Sequence, residues 1–334
     1  MFADFSGRKN HDYYYGSYSN FYIHEEMLKD SVRTKTYQAA IENNKEDFKD
    51  KIVLDIGCGT GILSIFAARA GAKYVYAIEN AEIATFAREI VKQNGLEDKI
   101  TIIKGLMEEI VLPVDTVDII ISEWMGYMLL YESMLDCVLW ARDKYLNKKT
   151  GKMLPDRATL YVAAIEDSEY KGEKMTFWKN VYGVDMSVLT PTVMKEPIID
   201  YVHKENIISD TCCILDLDLV RMKKEEVNFS VKYKLTMAYK DRLHGLVGWF
   251  DTAFSDLKNP ITLSTSPYKN GTHWKQTVLY LEKDLIVREG DVLEGSIAIR
   301  QSEANFRELD IKVSYHIDTP CAGKEDFINM YKLR

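Results

Sequence analysis

The chain has 334 residues, of which 46% are hydrophobic and 28% are charged, as in an ordinary folded protein. A single hydrophobic core usually stops growing at about 250–300 residues, so two packed domains are expected. The formal charge of −8 disfavours non-specific binding to nucleic acid and favours basic partners.

Four β-rich runs alternate with helical patterns in the first half of the chain. They are KIVLDI (51–56), KYVYAIE (73–79), KITIIKG (99–105) and VDIIISE (117–123). Strands of continuously apolar sequence that alternate with helices are typical of a parallel sheet covered on both faces. The sequence therefore predicts a doubly wound α/β domain in this half.

The pattern changes near Gly151 and Pro155. After about residue 210, β-rich runs separated by turn residues predict an antiparallel sandwich or barrel. The runs are VNFSVKYKLTMA, GLVGWFDTAF, ITLSTSP, HWKQTVLYLE, DVLEGSIAIR and RELDIKVSYHI. A helical insert at about 167–201 is rich in large apolar side chains but too small to hold its own core. We expect it to dock on another surface, with a second copy of the chain as one candidate.

The cysteines, the histidines and the hydropathy pattern argue against a disulfide-linked, metal-binding, membrane-spanning or secreted protein. The five cysteines are odd in number and lack a C-x-x-C spacing, which predicts a reducing compartment without a disulfide framework. The six histidines contain no H-x-x-x-H pair, so no metal site is expected. No apolar run reaches about 18 residues, so no membrane span is expected. The N-terminus lacks an apolar signal core, which argues against secretion.

The first β-to-α turn reads L-D-I-G-C-G-T-G and predicts a ligand site, since ligands of doubly wound folds bind beyond the carboxyl ends of the strands. Gly57 and Gly59 let the backbone approach a ligand closely. Ile62 stands where the dinucleotide pattern requires its third glycine, which argues against a nicotinamide dehydrogenase. The carboxylate of Asp55 would repel a pyrophosphate but hold an ammonium group, so the turn favours a cofactor with an amino-acid end.

Two further acids follow the next strands in the order that such a cofactor would need. Glu79 ends the second run, where an acid characteristically accepts ribose hydroxyls. Glu108, after the third run, has a carboxylate that could accept from an adenine amino group. Amino acid, ribose and adenine together match S-adenosylmethionine. The alternative is that Asp55 and Glu79 merely cap or solvate strand ends.

The segment ISEWMGYMLLYESM (121–134) brackets eight uncharged residues with Glu123 and Glu132. A cationic acceptor would repel a sulfonium methyl donor by about 4 kcal/mol at about 4 Å and an effective dielectric near 20. Two carboxylates would reverse that repulsion, and a planar guanidinium pairs with carboxylates bidentately where lysine offers only a point charge. The pair therefore suits an arginine acceptor. The alternative is that Glu132 lies in the first turn of a helix and Glu123 simply ends a strand.

Four segments occur in the order found in type I protein arginine N-methyltransferases, and nearly the whole chain resembles that family. They are YYYGSYSNFYIHEEMLKDSVRT, VLDIGCGTGILS, SEWMGYMLLYESM and THWKQT. The resemblance implies S-adenosylmethionine-dependent methylation of arginine guanidinium nitrogens, giving mono- and asymmetric dimethylarginine. It implies N-terminal cofactor-covering helices at 1–50, a Rossmann-like methyltransferase domain at 51–153, and an antiparallel β-barrel substrate domain at 154–334 whose arm at about 167–201 makes a dimer.

The resemblance also implies roles for individual residues. Glu123 and Glu132 match a guanidinium clamp, and His273 and Asp30 match a buried pair proposed to carry off the proton. Glu132 is the other candidate proton acceptor. The implied cofactor-binding residues are Tyr18, His24, Met27, Arg33, Asp55, Gly57, Gly59, Glu79, Met107 and Glu108.

Several of these residues are assigned to the walls of the site. Arg33 matches the residue that pairs with the cofactor carboxylate. Tyr14 and Tyr18 match an aromatic lid, and Met27 and Met134 match methionines that shape the methyl-accepting pocket. The implied substrate-binding residues are Tyr14, Tyr18, Met27, Glu123, Met125, Tyr127, Glu132, Met134, His273 and Trp274.

The partners expected from the resemblance are arginine- and glycine-rich proteins and histone tails, with no direct binding of nucleic acid or membrane. A homodimer or higher oligomer, in nucleus and cytoplasm, is expected. Two other functions remain open. A nucleic-acid amino-methyltransferase would usually carry N/D-P-P-Y/F where this chain has S-E-W-M, and a non-catalytic donor-binding scaffold would be expected to have lost an acid of the pair.

Overall fold

A computed structural model describes residues 16, 18–320 and 323–334. Its first half forms a parallel sheet of β1 (Ile52–Ile56), β2 (Tyr74–Glu79), β3 (Ile100–Lys104), β4 (Ile119–Ile121) and β5 (Lys152–Leu154). The strands lie in the order β3–β2–β1–β4–β5, so the chain order reverses between β1 and β4. That reversal is the point at which open α/β sheets bind ligands. The predicted doubly wound domain is confirmed.

Within the part of the chain that the structure describes, six helices accompany this sheet. They are α1 (Phe21–Lys29), α2 (Ser31–Glu42), α3 (Lys45–Phe48), α4 (Ile62–Arg69), α5 (Ile83–Gln93) and α6 (Leu135–Tyr145). Val53 and Leu54 of β1 are completely buried, as are Tyr37 and Ile41 of α2. Because both faces of the sheet are covered, its strands read as continuous apolar runs.

The second half is antiparallel. Its strands are β6 (Arg157–Ile165), β7 (Ile198–Asp200), β8 (Cys212–Asp218), β9 (Phe229–Thr236), β10 (Asp241–Phe254), β11 (Ile261–Ser264), β12 (Gln276–Val287), β13 (Val292–Gln301), β14 (Leu309–Thr319) and β15 (Gly323–Leu333). One sheet has the order β7–β12–β10–β6–β8 with β11 on β10, and the other has the order β15–β14–β13–β9. The predicted antiparallel domain is confirmed, and its closure into a barrel stays a prediction.

The helical insert contains α7 (Ser168–Phe177), a 3₁₀ turn (Ser187–Leu189) and α8 (Thr190–Val193). Lys171 is the one buried residue of α7, and its ammonium donates to the carbonyl oxygen of Leu281 at 2.8 Å. Phe177 is 56% exposed and the side chain of Tyr182 is fully exposed. The insert therefore presents apolar side chains that it cannot bury itself, as its composition predicts. Within the described residues, none of the helices combines the length and the apolar character needed to cross a bilayer.

Candidate active site

A cavity of about 510 Å³ opens beyond the carboxyl ends of the parallel strands and is walled by both halves of the chain. Its volume falls in the range of about 300–1,000 Å³ typical of small-ligand sites. The predicted residues that line it are Tyr18, His24, Met27, Arg33, Gly57, Gly59, Met107, Glu79, Glu108, Glu123, Met125, Tyr127, Glu132, Met134, His273 and Trp274. Asp30 and Asp55 lie behind its walls, and Tyr14 falls outside the described residues.

The glycine turn after β1 forms one wall of the cavity, and its glycines have left-handed backbone conformations. Gly57 has a φ of +69° and Gly59 a φ of +53°. A Cβ atom on Gly57 would lie 2.2 Å from Cε of Met134. The amides of Gly57 and Cys58 both donate to the carbonyl of Ile78 at the end of β2. The positive φ favours glycine at both positions, and a Cβ on Gly57 would also require the flexible end of the Met134 side chain to move.

Two buried carboxylates support this turn. Asp55 is completely buried, its Oδ2 accepts from Ser64 Oγ at 2.6 Å, and its Oδ1 has no partner among the described residues. Burial raises the pKa of Asp55 to about 7. Glu79 accepts from the backbone amides of Gly59 at 2.9 Å and Ala81 at 2.7 Å, and burial raises its pKa as well. Asp55 therefore sits behind the turn, and its direct contact with a cofactor stays a prediction.

Met107 and Glu108 lie in the turn after β3, where Met107 is buried and Glu108 is exposed. Burial raises the pKa of the Cys137 thiol, and the nearby Glu108 carboxylate raises it further. Glu108 therefore lies near Cys137 of α6, and both residues line the cavity.

The acidic loop 123–132 turns back on itself between β4 and α6. The amide of Gly126 donates to the carbonyl of Leu129 at 3.0 Å, and a Cβ on Gly126 would lie 2.0 Å from the carbonyl oxygen of Tyr131. Glu132 has a φ of +72° and Ser133 a φ of +53°. Because α6 begins only at Leu135, the alternative that Glu132 lies in the first turn of a helix is wrong.

Each acid of the loop meets a residue from the N-terminal helical segment. Arg33 Nε donates to Glu123 Oε2 at 2.8 Å, with both side chains largely buried. The other oxygen of Glu123, Oε1, is buried and has no hydrogen-bond partner among the described residues. The hydroxyl of Tyr18 donates to Glu132 Oε2 at 2.7 Å. The predicted partner of Arg33 was a cofactor carboxylate, and the structure shows that Arg33 also pairs with Glu123.

The T-H-W segment joins the acidic loop to α2. His273 meets Oδ2 of Asp30 through both its backbone amide at 2.9 Å and its Nδ1 at 2.7 Å. Burial would raise the pKa of Asp30, but the hydrogen bonds from His273 and Arg33 outweigh it and lower that pKa. The indole of Trp274 donates to the carbonyl oxygen of Met125 at 2.8 Å. The predicted His273–Asp30 pair therefore exists as a contact.

The cavity-wall residues that sequence reasoning missed include two from the antiparallel half of the chain. Phe306 and Arg307 come from the loop between β13 and β14 and reach the acidic loop from the other half of the chain. The amide of Glu132 donates to the carbonyl oxygen of Arg307 at 2.7 Å. The N-F-R sequence carries no motif, and only the three-dimensional fold brings it to the site.

Comparison with known proteins identifies the family. Residues 156–320 match the arginine methyltransferase oligomerization subdomain, and residues 34–131 match the ribosomal protein L11 methyltransferase model. The chain is 54% identical over 310 residues to protein arginine N-methyltransferase 1 of Schizosaccharomyces pombe, covering 93% of this chain and 91% of that one. The chain belongs to the protein arginine N-methyltransferase family. The Chlamydomonas reinhardtii arginine methyltransferase 1 is 53% identical over 98% of this chain and 94% of its own length.

Solved structures of arginine methyltransferases share the fold. The Trypanosoma brucei PRMT1 enzyme–prozyme heterotetrameric complex with AdoHcy has a TM-score of 0.92 at 42% identity, covering 95% of this chain and all of that one. Arabidopsis thaliana arginine methyltransferase 10 has a TM-score of 0.87 at 34% identity, covering 96% of this chain and all of its own. The chain is thus a type I arginine methyltransferase that uses S-adenosylmethionine, and the dehydrogenase and nucleic-acid alternatives fall away.

Proposed function

We propose that Glu123 and Glu132 together hold the acceptor guanidinium. The observation that carries this assignment is the buried Oε1 of Glu123, which has no donor among the described residues. A buried carboxylate oxygen without a donor costs about 1–3 kcal/mol or more, so such an atom in a cavity wall favours a ligand that brings a donor. A guanidinium offers N–H groups in a planar fork that suits two carboxylates.

The residues around the glycine turn fit S-adenosylmethionine. Gly57 and Gly59 leave room where a Cβ would collide with Met134 or crowd His24, and Glu79 faces the same space. We assign the ribose to Glu79, the adenine to Met107 and Glu108, and the carboxylate to Arg33. We place the ammonium group of the cofactor at the glycine turn near Asp55. Asp55 Oδ1 has no hydrogen-bond partner among the described residues that would offset its negative charge. When bound, the donor supplies an electrophilic methyl group.

The chain contributes alignment and charge to the transfer. Arginine stays protonated in proteins, so the acceptor enters as a cation and the clamp must orient it. With Glu123 already neutralised in part by Arg33, Glu132 is positioned to draw positive charge toward one side of the guanidinium. Positioning and electrostatics then supply most of the rate. The proton leaves through Glu132 or through the His273–Asp30 pair, and both routes stay open.

Amide variants test the clamp. Glu123→Gln and Glu132→Gln keep the size of each side chain but remove its charge, so each should lower turnover on an Arg-Gly peptide strongly while leaving donor affinity by calorimetry near wild type. Glu303→Gln, at an 87% exposed side chain, is the matched control. Wild-type turnover in either clamp variant would reject the assignment. Tritium transfer to an Arg-Gly-rich protein, with a transfer RNA in parallel, tests the acceptor class.

We attribute the product specificity to the space beside Met27 and Met134, which both line the cavity. A flexible thioether leaves room for a second methyl group on the same nitrogen. Mass spectrometry of the peptide product should therefore show mono- and asymmetric dimethylarginine. A product containing only symmetric dimethylarginine would contradict this role of the methionines.

The protein substrates are proposed to be arginine- and glycine-rich proteins and histone tails, in nucleus and cytoplasm. The net charge of −8 favours such cationic chains, because opposite charge raises the rate of encounter. Transfer to these proteins should fall with ionic strength, whereas transfer to a short neutral-flanked arginine peptide should respond less.

A homodimer is proposed through the insert at 167–201. An α1–α5 groove, lined by Phe21, Leu28, Ile83, Phe86 and Ile90, exposes apolar surface beside the cavity. Within it, the rings of Phe21 and Phe86 lie edge to face at 4.9 Å, and both are about half exposed. The exposed apolar side chains of the insert are a complementary surface, and the oligomerization subdomain match supports assembly. We therefore place the arm of one copy in the α1–α5 groove of the other.

A further inference from the structure

We propose that Arg307, in the β13–β14 loop (302–308), is a positioning residue that sets the carboxylate of Glu132. Arg307 Nη1 donates to the carbonyl oxygen of Glu132 at 2.7 Å, and the amide of Glu132 donates to the carbonyl oxygen of Arg307 at 2.7 Å. Both backbone groups of Glu132 are therefore held by one residue from the other half of the chain. The inference rests on the proposed clamp role of Glu132.

The backbone at Glu132 needs such a restraint. Glu132 and Ser133 are consecutive non-glycine residues with φ of +72° and +53°. Each left-handed residue of this kind costs about 1–3 kcal/mol and persists only where its surroundings hold it. A peptide that relaxed to negative φ would turn the Glu132 side chain away from its present direction. The conformation that points the carboxylate into the cavity is thus maintained from outside the acidic loop.

The β13–β14 loop and the last residue of β13 each make one further contact with the same stretch. Ser133 Oγ donates to the carbonyl oxygen of Phe306 at 2.6 Å. Gln301, at the end of β13, donates through Nε2 to Oδ2 of Asp136 at 3.1 Å. Three successive contacts therefore join residues 132–136 to residues 301–307.

The β13–β14 loop is itself ordered by local hydrogen bonds. Asn305 Nδ2 donates to Glu308 Oε1 at 3.0 Å, the amide of Glu308 donates to the carbonyl of Asn305 at 2.9 Å, and the amide of Ser302 donates to the carbonyl of Glu308 at 2.9 Å. A loop fixed in this way can impose a conformation on the acidic loop instead of following it. Displacing a catalytic group by about 1 Å can cost about 10²-fold in rate, so this restraint bears on turnover.

The first test is Arg307→Ala, with Arg300→Ala on β13 as the matched control because Arg300 is 58% exposed and pairs with Glu303. We expect kcat on an Arg-Gly peptide to fall by about 10- to 100-fold, with donor Kd by calorimetry and peptide KM within about threefold of wild type. Arg307→Lys keeps a cationic donor group without the planar guanidinium and should recover part of the loss. Unchanged kcat, or a parallel loss of donor binding, would overturn the proposal.

A double-variant cycle separates positioning from simple support of the fold. If Arg307 acts through the Glu132 carboxylate, adding Arg307→Ala to Glu132→Gln should lower kcat little further. Adding it to Glu123→Gln should lower kcat by the same factor as Arg307→Ala alone. Independent effects in both backgrounds would reject the role. If Arg307→Ala does not fold, Arg307→Lys, which keeps a long cationic side chain but loses the guanidinium, takes its place in the same cycle. Wild-type turnover by Glu132→Gln would instead reject the clamp itself.

Discussion

The ionisation of Asp55 makes the stability of the folded protein depend on pH. Its folded pKa of about 7 lies above the ordinary value of 3.8 because the side chain is completely buried. A carboxyl that binds its proton more tightly when folded stabilises the protein below about pH 4 and loses that contribution as the pH rises toward 7. Asp55→Asn has no such charge, so its melting temperature relative to wild type should rise by several degrees between pH 5 and pH 8.

The exposed Asp98 supplies the control, since Asp98→Asn should show the same melting difference at both values of pH. Saturating S-adenosylmethionine should reduce the pH dependence of the wild type, because an ammonium group near the turn favours ionised Asp55. In Asp55→Ala, donor binding by calorimetry should be abolished. An equal melting difference for Asp55→Asn at pH 5 and pH 8 would show that Asp55 is not forced to titrate in this range.

At the residue scale, the sequence motifs predicted which residues line the cavity better than they predicted which of these residues contact each other. The sequence placed Glu123 and Glu132 in one cavity, and both line it. It did not predict the contact between Arg33 and Glu123, because a salt bridge between residues so far apart in the chain leaves no local pattern. The sequence also did not predict the hydrogen bond that Asp55 accepts from Ser64 of α4, and the predicted contact of Asp55 with the cofactor stays a prediction.

At the element scale, the shape of the acidic loop depends on Gly126, where the two arms of the loop lie so close together that a side chain would not fit. Gly126→Ala would place a methyl group 2.0 Å from the backbone oxygen of Tyr131, which cannot move as a side chain would. We expect a loss of about 1–3 kcal/mol in the free energy of unfolding and a large loss of turnover, measured by urea denaturation and methyl transfer.

Gly172→Ala is the opposite control, because nothing lies within 4 Å of its added Cβ and α7 gains a better helix former. That substitution should stabilise the fold by about 0.5–1 kcal/mol and leave turnover unchanged. If Gly126→Ala retained wild-type stability and turnover, the acidic loop would be more adaptable than its contacts indicate.

The elements of the parallel sheet were predictable because their signals are local and strong. Each of β1 to β4 coincides with an apolar run, whereas β10 begins at Asp241, four residues before its predicted run, and β15 was not predicted. The sequence of β15, GKEDFINMYKL, alternates weakly and carries charges on its exposed positions. Pairing with β14 over its full length defines this strand, and pairing between distant segments cannot be read from one of them.

At the scale of the whole molecule, the two halves share one site. The parallel sheet supplies the glycine turn, and the antiparallel half supplies His273, Trp274 and Arg307. His24 and Thr60 line both the α1–α5 groove and the cavity, so in the proposed dimer the arm of the second copy would lie next to the site. Occupation of the groove would therefore bear directly on α1, which forms one wall of the cavity.

Charged substitutions in the arm and the groove test this assembly. Phe86→Glu in the groove and Tyr182→Glu in the arm should each shift the protein toward monomer in analytical ultracentrifugation, because either one buries a charge in an apolar contact. Ile328→Glu, at a 62% exposed side chain on β15, should leave the oligomer unchanged. Both variants remaining fully oligomeric would contradict the proposed contact.

Mixing the two variants tests the symmetry of the pair. In a two-fold dimer each copy places its arm in the groove of the other, so a mixed dimer of Phe86→Glu with Tyr182→Glu joins one intact arm to one intact groove. Its second contact carries both charges. The mixture should therefore contain more dimer than either variant alone at the same total concentration, and activity at high dilution should rise in parallel. A mixture no more associated than its components would place the arm on some other surface.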